Sequence, residues 1–167
     1  MTVRTPNFED AEQIARVHLE TWQVVYKNLM PADFLEKRKF GPEKVLRWQE
    51  NLKNYFSGNG NIIFVSENSN KKITGILVGN RNEEGMYEVC CLYVHPDYQG
   101  QGFGRELLLA FTEHIKGERF MLYMLRGNPS EAFYLKMGGK QIRTDKKFER
   151  ENVSLDQDMF IFEGKNG

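Results

Sequence analysis

From Met86 to Leu109 the chain reads MYEVCCLYVHPDYQGQGFGRELLL, and this stretch leaves room for one local order: strand, turn, glycine loop, helix. Val89, Cys91 and Tyr93 alternate with Cys90, Leu92 and Val94 in a β-branched and aromatic run, the pattern of a strand covered on both faces. His95-Pro96-Asp97 stops it. Gln99-Gly100-Gln101-Gly102-Phe103-Gly104 then sets glycines at alternate positions, and Phe103, Leu107, Leu108, Phe111 and Ile115 recur at the spacing of one helix face. Glycines admit positive φ and close approach, and a helix N-terminus carries partial positive charge, so the junction suits a phosphate or pyrophosphate. Two familiar phosphate motifs do not fit. A dinucleotide fingerprint starting at Gly100 needs glycine where Arg105 stands, and a Walker loop needs a Gly-Lys-Ser/Thr that the sequence lacks.

A chain of 167 residues with 40% hydrophobic content, including 12 Phe and 7 Tyr, is sized for a single domain over residues 1–167 with a substantial core. With 23 basic and 23 acidic residues, no global field recommends nucleic acid or an anionic membrane as partner, so any anion site is local. The opening MTVRTPNFEDAEQ lacks the apolar core of a signal peptide, and no segment approaches the roughly 18 to 20 apolar residues of a membrane span, which predicts a cytoplasmic protein. Cys90 and Cys91 are adjacent, a placement that offers neither zinc spacing nor a disulfide framework. They read as reduced, buried thiols, and no metal is expected.

Taken in order, Val3-Arg4 opens a first strand and Asp10 to Tyr26 is a helix. Ala32 to Lys39 and Glu43 to Phe56 form a second helical region, interrupted at Gly41-Pro42. Ile62 to Glu67 and Ile73 to Gly79 make an antiparallel hairpin, to which the strand ending at Val94 adds a third member. The helix Arg105 to Lys116 crosses to a parallel strand, Arg119 to Leu125. A short helix, Ser130 to Met137, closes at Gly138-Gly139. Gln141 to Lys147 and Val153 to Phe162 supply the last two strands, joined by the charged stretch Phe148 to Asn152.

Gln99-x-x-Gly102-x-Gly104, after the strand end Leu92-Tyr93-Val94-His95-Pro96, closely resembles the acyl-CoA loop of the GCN5-related N-acetyltransferases, or GNATs, whose pattern is Arg or Gln-x-x-Gly-x-Gly or Ala. Asn128-x-x-x-Ala132-Phe133-Tyr134 resembles that family's next motif. The element order agrees with the family along the whole chain, while residues 86 to 139 carry the motifs. The resemblance implies the α+β acyl-CoA N-acyltransferase fold, a mixed, mostly antiparallel sheet of about seven strands, splayed between its fourth and fifth and flanked by helices. It further implies direct acetyl transfer from acetyl-CoA to a primary amine of a small molecule or protein, and it suggests a homodimer. The alternative is a non-catalytic acyl-CoA-binding regulatory module, and whether Glu88 and Tyr134 line one cavity separates the two.

Carried over residue by residue, the resemblance places the pantetheine arm along Leu92, Tyr93 and Val94, with an oxyanion donor among their backbone N–H groups. The pyrophosphate falls to Gln99, Gly100, Gln101, Gly102, Phe103, Gly104 and Arg105, and Asn128 touches the cofactor. Tyr134 becomes the general acid, since a phenol with pKa near ~10 stays protonated at neutral pH. Glu88 stands where the histone-modifying branch of the family keeps its catalytic glutamate, and is the candidate base. Ribosomal-protein acetyltransferases place a glutamate five residues before the motif asparagine; Tyr123 stands there instead. Trp22 and Tyr26, one helical turn apart, fall in the region that lines the acceptor pocket in this fold.

Overall fold

The computed structural model describes residues 1–164. Seven strands form one sheet in the order β1-β2-β3-β4-β5-β9-β6: β1 (Thr2–Arg4), β2 (Ile62–Glu67), β3 (Ile73–Arg81), β4 (Tyr87–Val94), β5 (Phe120–Leu125), β6 (Lys140–Arg143) and β9 (Gln157–Phe162). Every neighbouring pair is antiparallel except β4 and β5. These two parallel strands pair only at Tyr87 with Phe120 and Glu88 with Met121. Beyond those pairs they diverge, so the sheet is mixed, mostly antiparallel and split at its centre.

Helices α1 (Ala11–Val25) and α3 (Pro42–Phe56) cover one face, where Ile14, Ala15, Trp48, Leu52, Val65 and Ile76 form a buried cluster. On the other face, α4 (Phe103–His114) and α5 (Glu131–Lys136) pack over Leu77, Val89, Leu107, Phe111, Phe120 and Phe160. A third cluster joins Trp22 and Tyr26 of α1 to Phe34 and Leu35 of α2 (Ala32–Glu36) and to Leu125 at the end of β5.

Two features depart from the expectation above. A bulge places Cys91 opposite Val78 but Val89 opposite Gly79, leaving Cys90 as the extra residue. Val89 therefore packs on the α4 side while Tyr93 faces the α1 side, although plain alternation would put them together. The charged stretch expected to join two strands is itself β7 (Phe148–Arg150), paired with β8 (Val153–Leu155) in a separate two-stranded sheet. A single strand over Val153 to Phe162 does not form, because the chain leaves β8 at Asp156 and enters the main sheet as β9, between β5 and β6.

Gly79 sits beside the bulge, where a Cβ would lie 2.5 Å from Phe111 Cε2 and 3.0 Å from the Glu88 carbonyl. Phe111 is fully buried and has nowhere to retreat. Gly79→Ala is expected to destabilise the fold by about 2 kcal/mol through overpacking, a Tm loss of roughly 5 °C for a chain of this size. A thermal melt equal to that of the wild type would show that the bulge absorbs the extra carbon.

Candidate active site

The junction after β4 is built as its glycines require. Gly100 and Gly102 have φ of 77° and 92°, in the left-handed region that side chains disfavour. Gly102 is the N-cap of α4, and its carbonyl accepts the first helical bond, from Glu106 N at 3.1 Å. The N–H groups of Phe103, Gly104 and Arg105 precede that bond and remain available at the positive end of the helix. The Phe103 side chain is buried, edge-on to Tyr98, so the residue offers the loop its backbone alone. Arg105 is exposed and pairs at 3.4 Å with Glu106. Gln99 donates its side-chain amide to the Val94 carbonyl at 2.9 Å, closing the loop onto the end of β4.

The split between β4 and β5 opens a cleft of about 320 Å³. It brings together Trp22, Tyr26, Leu92, Tyr93, Val94, Gln99, Asn128 and Tyr134, residues that lie far apart in the chain. Gly100, Gln101, Gly102, Phe103, Gly104 and Arg105 lie outside its lining and belong to the neighbouring loop and helix start. Asn128 is buried and turns the chain into α5: its Oδ1 accepts from Ser130 N at 2.8 Å and its carbonyl from Glu131 N at 3.2 Å. Asn128 also lines the cleft, and neither of these bonds uses its amide nitrogen. Tyr134 is held by the end of the same helix, where Gly139 N donates to its carbonyl at 2.9 Å and Gly138 takes φ 94°. Its ring packs against Phe160 and Phe133.

Glu88 and Tyr134 do not line one cavity, so this pair does not separate a catalytic site from a purely cofactor-binding one. Glu88 lines a neighbouring cleft with Asn82, Glu84, Met121 and Lys146. Tyr123, carried on β5, borders both that cleft and the first. The reason is strand pairing: Glu88 sits at the last point where β4 and β5 still pair, whereas the cleft begins at the next residue, Val89, where they part. His95 lies outside the first cleft and holds Glu20 at 2.7 Å while its Nδ1 accepts from Asp97 N at 3.2 Å.

Burial dominates the electrostatics of the cleft. It pushes the Tyr26, Tyr93 and Tyr134 phenols above their ordinary pKa, so all three stay protonated at neutral pH. Burial also lifts Cys91, which lines the cleft, to about 12, and Cys90 to about 11. Both cysteines are free thiols; Cys91 is partly buried, and Cys90, expected to be buried, is exposed. Two buried polar atoms of the lining, Thr21 Oγ1 and Trp22 Nε1, have no hydrogen-bond partner among the described residues. Thr21, Phe148, Arg150 and Gln157 were not legible as site residues, because α1, the β7–β8 hairpin and the start of β9 carry no local motif.

A split parallel strand pair, with a glycine loop at one end and buried phenols at the other, defines a group-transfer site in an α+β sheet. Residues 59–138, just under half of the chain, match the acetyltransferase (GNAT) domain. It is 27% identical over 162 residues to the uncharacterized N-acetyltransferase YuaI of Bacillus subtilis (strain 168), covering 93% of this chain and 88% of that one. Over 158 residues it is 27% identical to the spermidine N(1)-acetyltransferase of Thermoplasma acidophilum, covering 86% and 90%. The crystal structure of PaiA N-acetyltransferase from Thermoplasma acidophilum in complex with coenzyme A shares the fold at TM-score 0.70 and 19% identity, covering 94% of this chain and 96% of that one. Among the described residues no helix is long and apolar enough to cross a membrane, and no group of three or more His, Cys, Asp or Glu is placed to hold a metal ion.

Proposed function

We propose that the protein transfers an acetyl group from acetyl-CoA directly to a primary amine, in the cytoplasm. The observation that carries this reading is the convergence of the free edge of β4, the Asn128 amide and the Tyr134 phenol on one cleft that ends at the glycine loop. Acetyl-CoA supplies an acyl carbonyl with a thiol leaving group. The backbone N–H groups at the start of α4 hold its pyrophosphate, and Asn128 Nδ2 and the unpaired edge of β4 hold the arm. A β4 N–H turned into the split faces the developing oxyanion, and the Tyr134 hydroxyl donates to the departing sulfur. The acceptor loses its proton to water. Glu88 takes that proton at one remove, since Tyr123 stands between its cleft and that of Tyr134.

The direct test is a thermal melt with acetyl-CoA together with free-thiol release over a panel of amines. At ~100 times Kd the cosubstrate should stabilise the fold by about 2.7 kcal/mol, or roughly 5 to 10 °C in Tm. No rise at millimolar acetyl-CoA would remove this reading.

Cys90 and Cys91 are the thiols in the cleft that could carry the acetyl group covalently, and with pKa values raised to about 11 and about 12 both are too weakly ionised for that work at neutral pH. Cys91→Ala should therefore keep kcat within about threefold, with sequential rather than ping-pong kinetics. Parallel double-reciprocal lines would point to an acetyl-cysteine instead. For Glu88→Gln the expected result is a loss of about tenfold in kcat below pH 8, recovering as the free amine fraction rises with pH. A profile identical to wild type from pH 6 to 9 would leave bulk water as the whole base.

A further inference from the structure

Five cations converge on a second cleft of about 200 Å³: Lys37, Arg38, Lys44, Arg47 and Arg150, against the single carboxylate of Glu151. On a chain with 23 basic and 23 acidic residues this local excess does not follow from composition. Of the five, only Arg38 is ion-paired among the described residues, to Glu151 at 3.0 Å. Like charges gathered in a concave, partly apolar site repel one another, and an anionic guest relieves that repulsion. The cations come from three separate places, the end of α2, the first turns of α3 and the β7–β8 hairpin, so no single element's solvated face accounts for them.

The floor of the cleft is aromatic. His18 stacks on Tyr93 at 5.4 Å and accepts from Trp48 Nε1 at 3.3 Å, which fixes it as a neutral imidazole. Burial first, then Arg150, Lys44 and Arg47, hold its pKa down to about 4, so it adds no charge of its own. Trp22 and Arg150 line both this cleft and the larger one that contains Tyr134. At that seam the buried Trp22 indole N–H has no hydrogen-bond partner among the described residues. The two cavities are thus adjacent and share two walls, Trp22 and Arg150, one cavity holding a proton donor and the other basic.

We propose that the acetyl acceptor is a small primary amine that also carries a carboxylate or phosphate group. Lys44, Arg47 and Arg150 hold the anion in the basic cleft, and the amine reaches past Trp22 towards Tyr134. The assignment rests on the acetyl-transfer reading and narrows it. A polyamine, which brings further positive charge to cations already lacking partners, is disfavoured by the same cluster.

The test is free-thiol release from acetyl-CoA with primary amines of matched chain length that end in a carboxylate, a phosphonate, a hydroxyl or a second amine. It is run on the wild type and on Lys44→Glu/Arg47→Glu. The expected result is a kcat/KM at least about tenfold higher for the carboxylate or phosphonate series than for the other two, and the better of these anions names the group. In the double variant that advantage collapses through KM, while the acetyl-CoA-dependent rise in Tm is retained. Calorimetric binding of the same amines to the CoA-saturated protein gives a second readout that does not depend on turnover. Equal or better use of the diamine overturns the proposal, as do anionic amines that bind and react equally well in the variant. Absence of both binding and turnover for every anionic amine overturns it too. A wild type whose Tm does not rise with acetyl-CoA would instead remove the acetyl-transfer reading, so the two failures are told apart.

Discussion

Replacing Tyr134 by phenylalanine is expected to lower kcat by about 100-fold while leaving acetyl-CoA affinity within about twofold. The ring is locked by packing against Phe133 and Phe160, and by the glycine-capped end of α5, so phenylalanine keeps the same position. Only the hydroxyl is lost. Tyr134 lines the cleft, and the substitution takes away one oxygen without changing how the ring is packed, so it costs little stability. What disappears is a donor aimed at charge that develops on the leaving sulfur, an interaction made in the transition state and not in the ground state. Burial holds the phenol above its ordinary pKa, so the donor form persists as pH rises through 10 and its titration should not cut the alkaline side of the rate profile. Steady-state rates with calorimetric acetyl-CoA binding check both parts. An unchanged kcat would take Tyr134 out of the reaction.

Gly102→Val should abolish the acetyl-CoA-dependent rise in Tm, equivalent to an affinity loss of about 100-fold or more. Gly102 holds φ 92° as the N-cap of α4, a conformation that a β-branched residue adopts only under strain. Relief of that strain rotates the peptide planes around the loop, turning away the N–H groups that converge on the anion and disturbing the carbonyl that accepts from Glu106. The cost to the apo fold is smaller, about 1 to 2 kcal/mol, since no packed neighbour is displaced: a Cβ here meets only the Met1 side chain, at 3.6 Å. The signature is therefore a modestly lower apo Tm together with a vanished ligand shift. Gly104→Ala is the matched control. Its Cβ would sit in ordinary contact with Phe133 and Val94, at 3.4 Å and 3.6 Å, and the shift should survive. A Gly102→Val protein that still responds fully to acetyl-CoA would show that the loop does not hold the cosubstrate.

Much of this was legible in the chain because its causes are local. The glycine spacing at 100, 102 and 104, and the apolar face from Phe103 to Ile115, depend on φ and on helical periodicity within a few residues. The same holds for Asn128 to Tyr134, where an Asx turn, a short helix and a glycine cap follow one another. From these, the glycine loop and the Asn128 to Tyr134 wall of the cleft could be read before any contact was known.

The tertiary structure alone decided which side chains share the site. A strand's faces depend on its partner's register as well as on its own alternation, and the bulge opposite Val78 and Gly79 reversed the parity of β4 between Val89 and Tyr93. The early parting of β4 from β5 put Glu88 behind Tyr123 and outside the cleft of Tyr134. The β7–β8 hairpin was hidden in a stretch whose charges read as a linker, and only its pairing brings Arg150 to Trp22 and to the cations of α2 and α3. By itself the sequence determined the loop and the helix it opens, since those follow from backbone conformation over a few neighbouring residues; acetyl transfer was implied by the resemblance of its motifs to the GNAT family. The acceptor side was decided by packing between distant segments, because the charge and shape of a cleft belong to the surfaces that meet there and to no one of them alone.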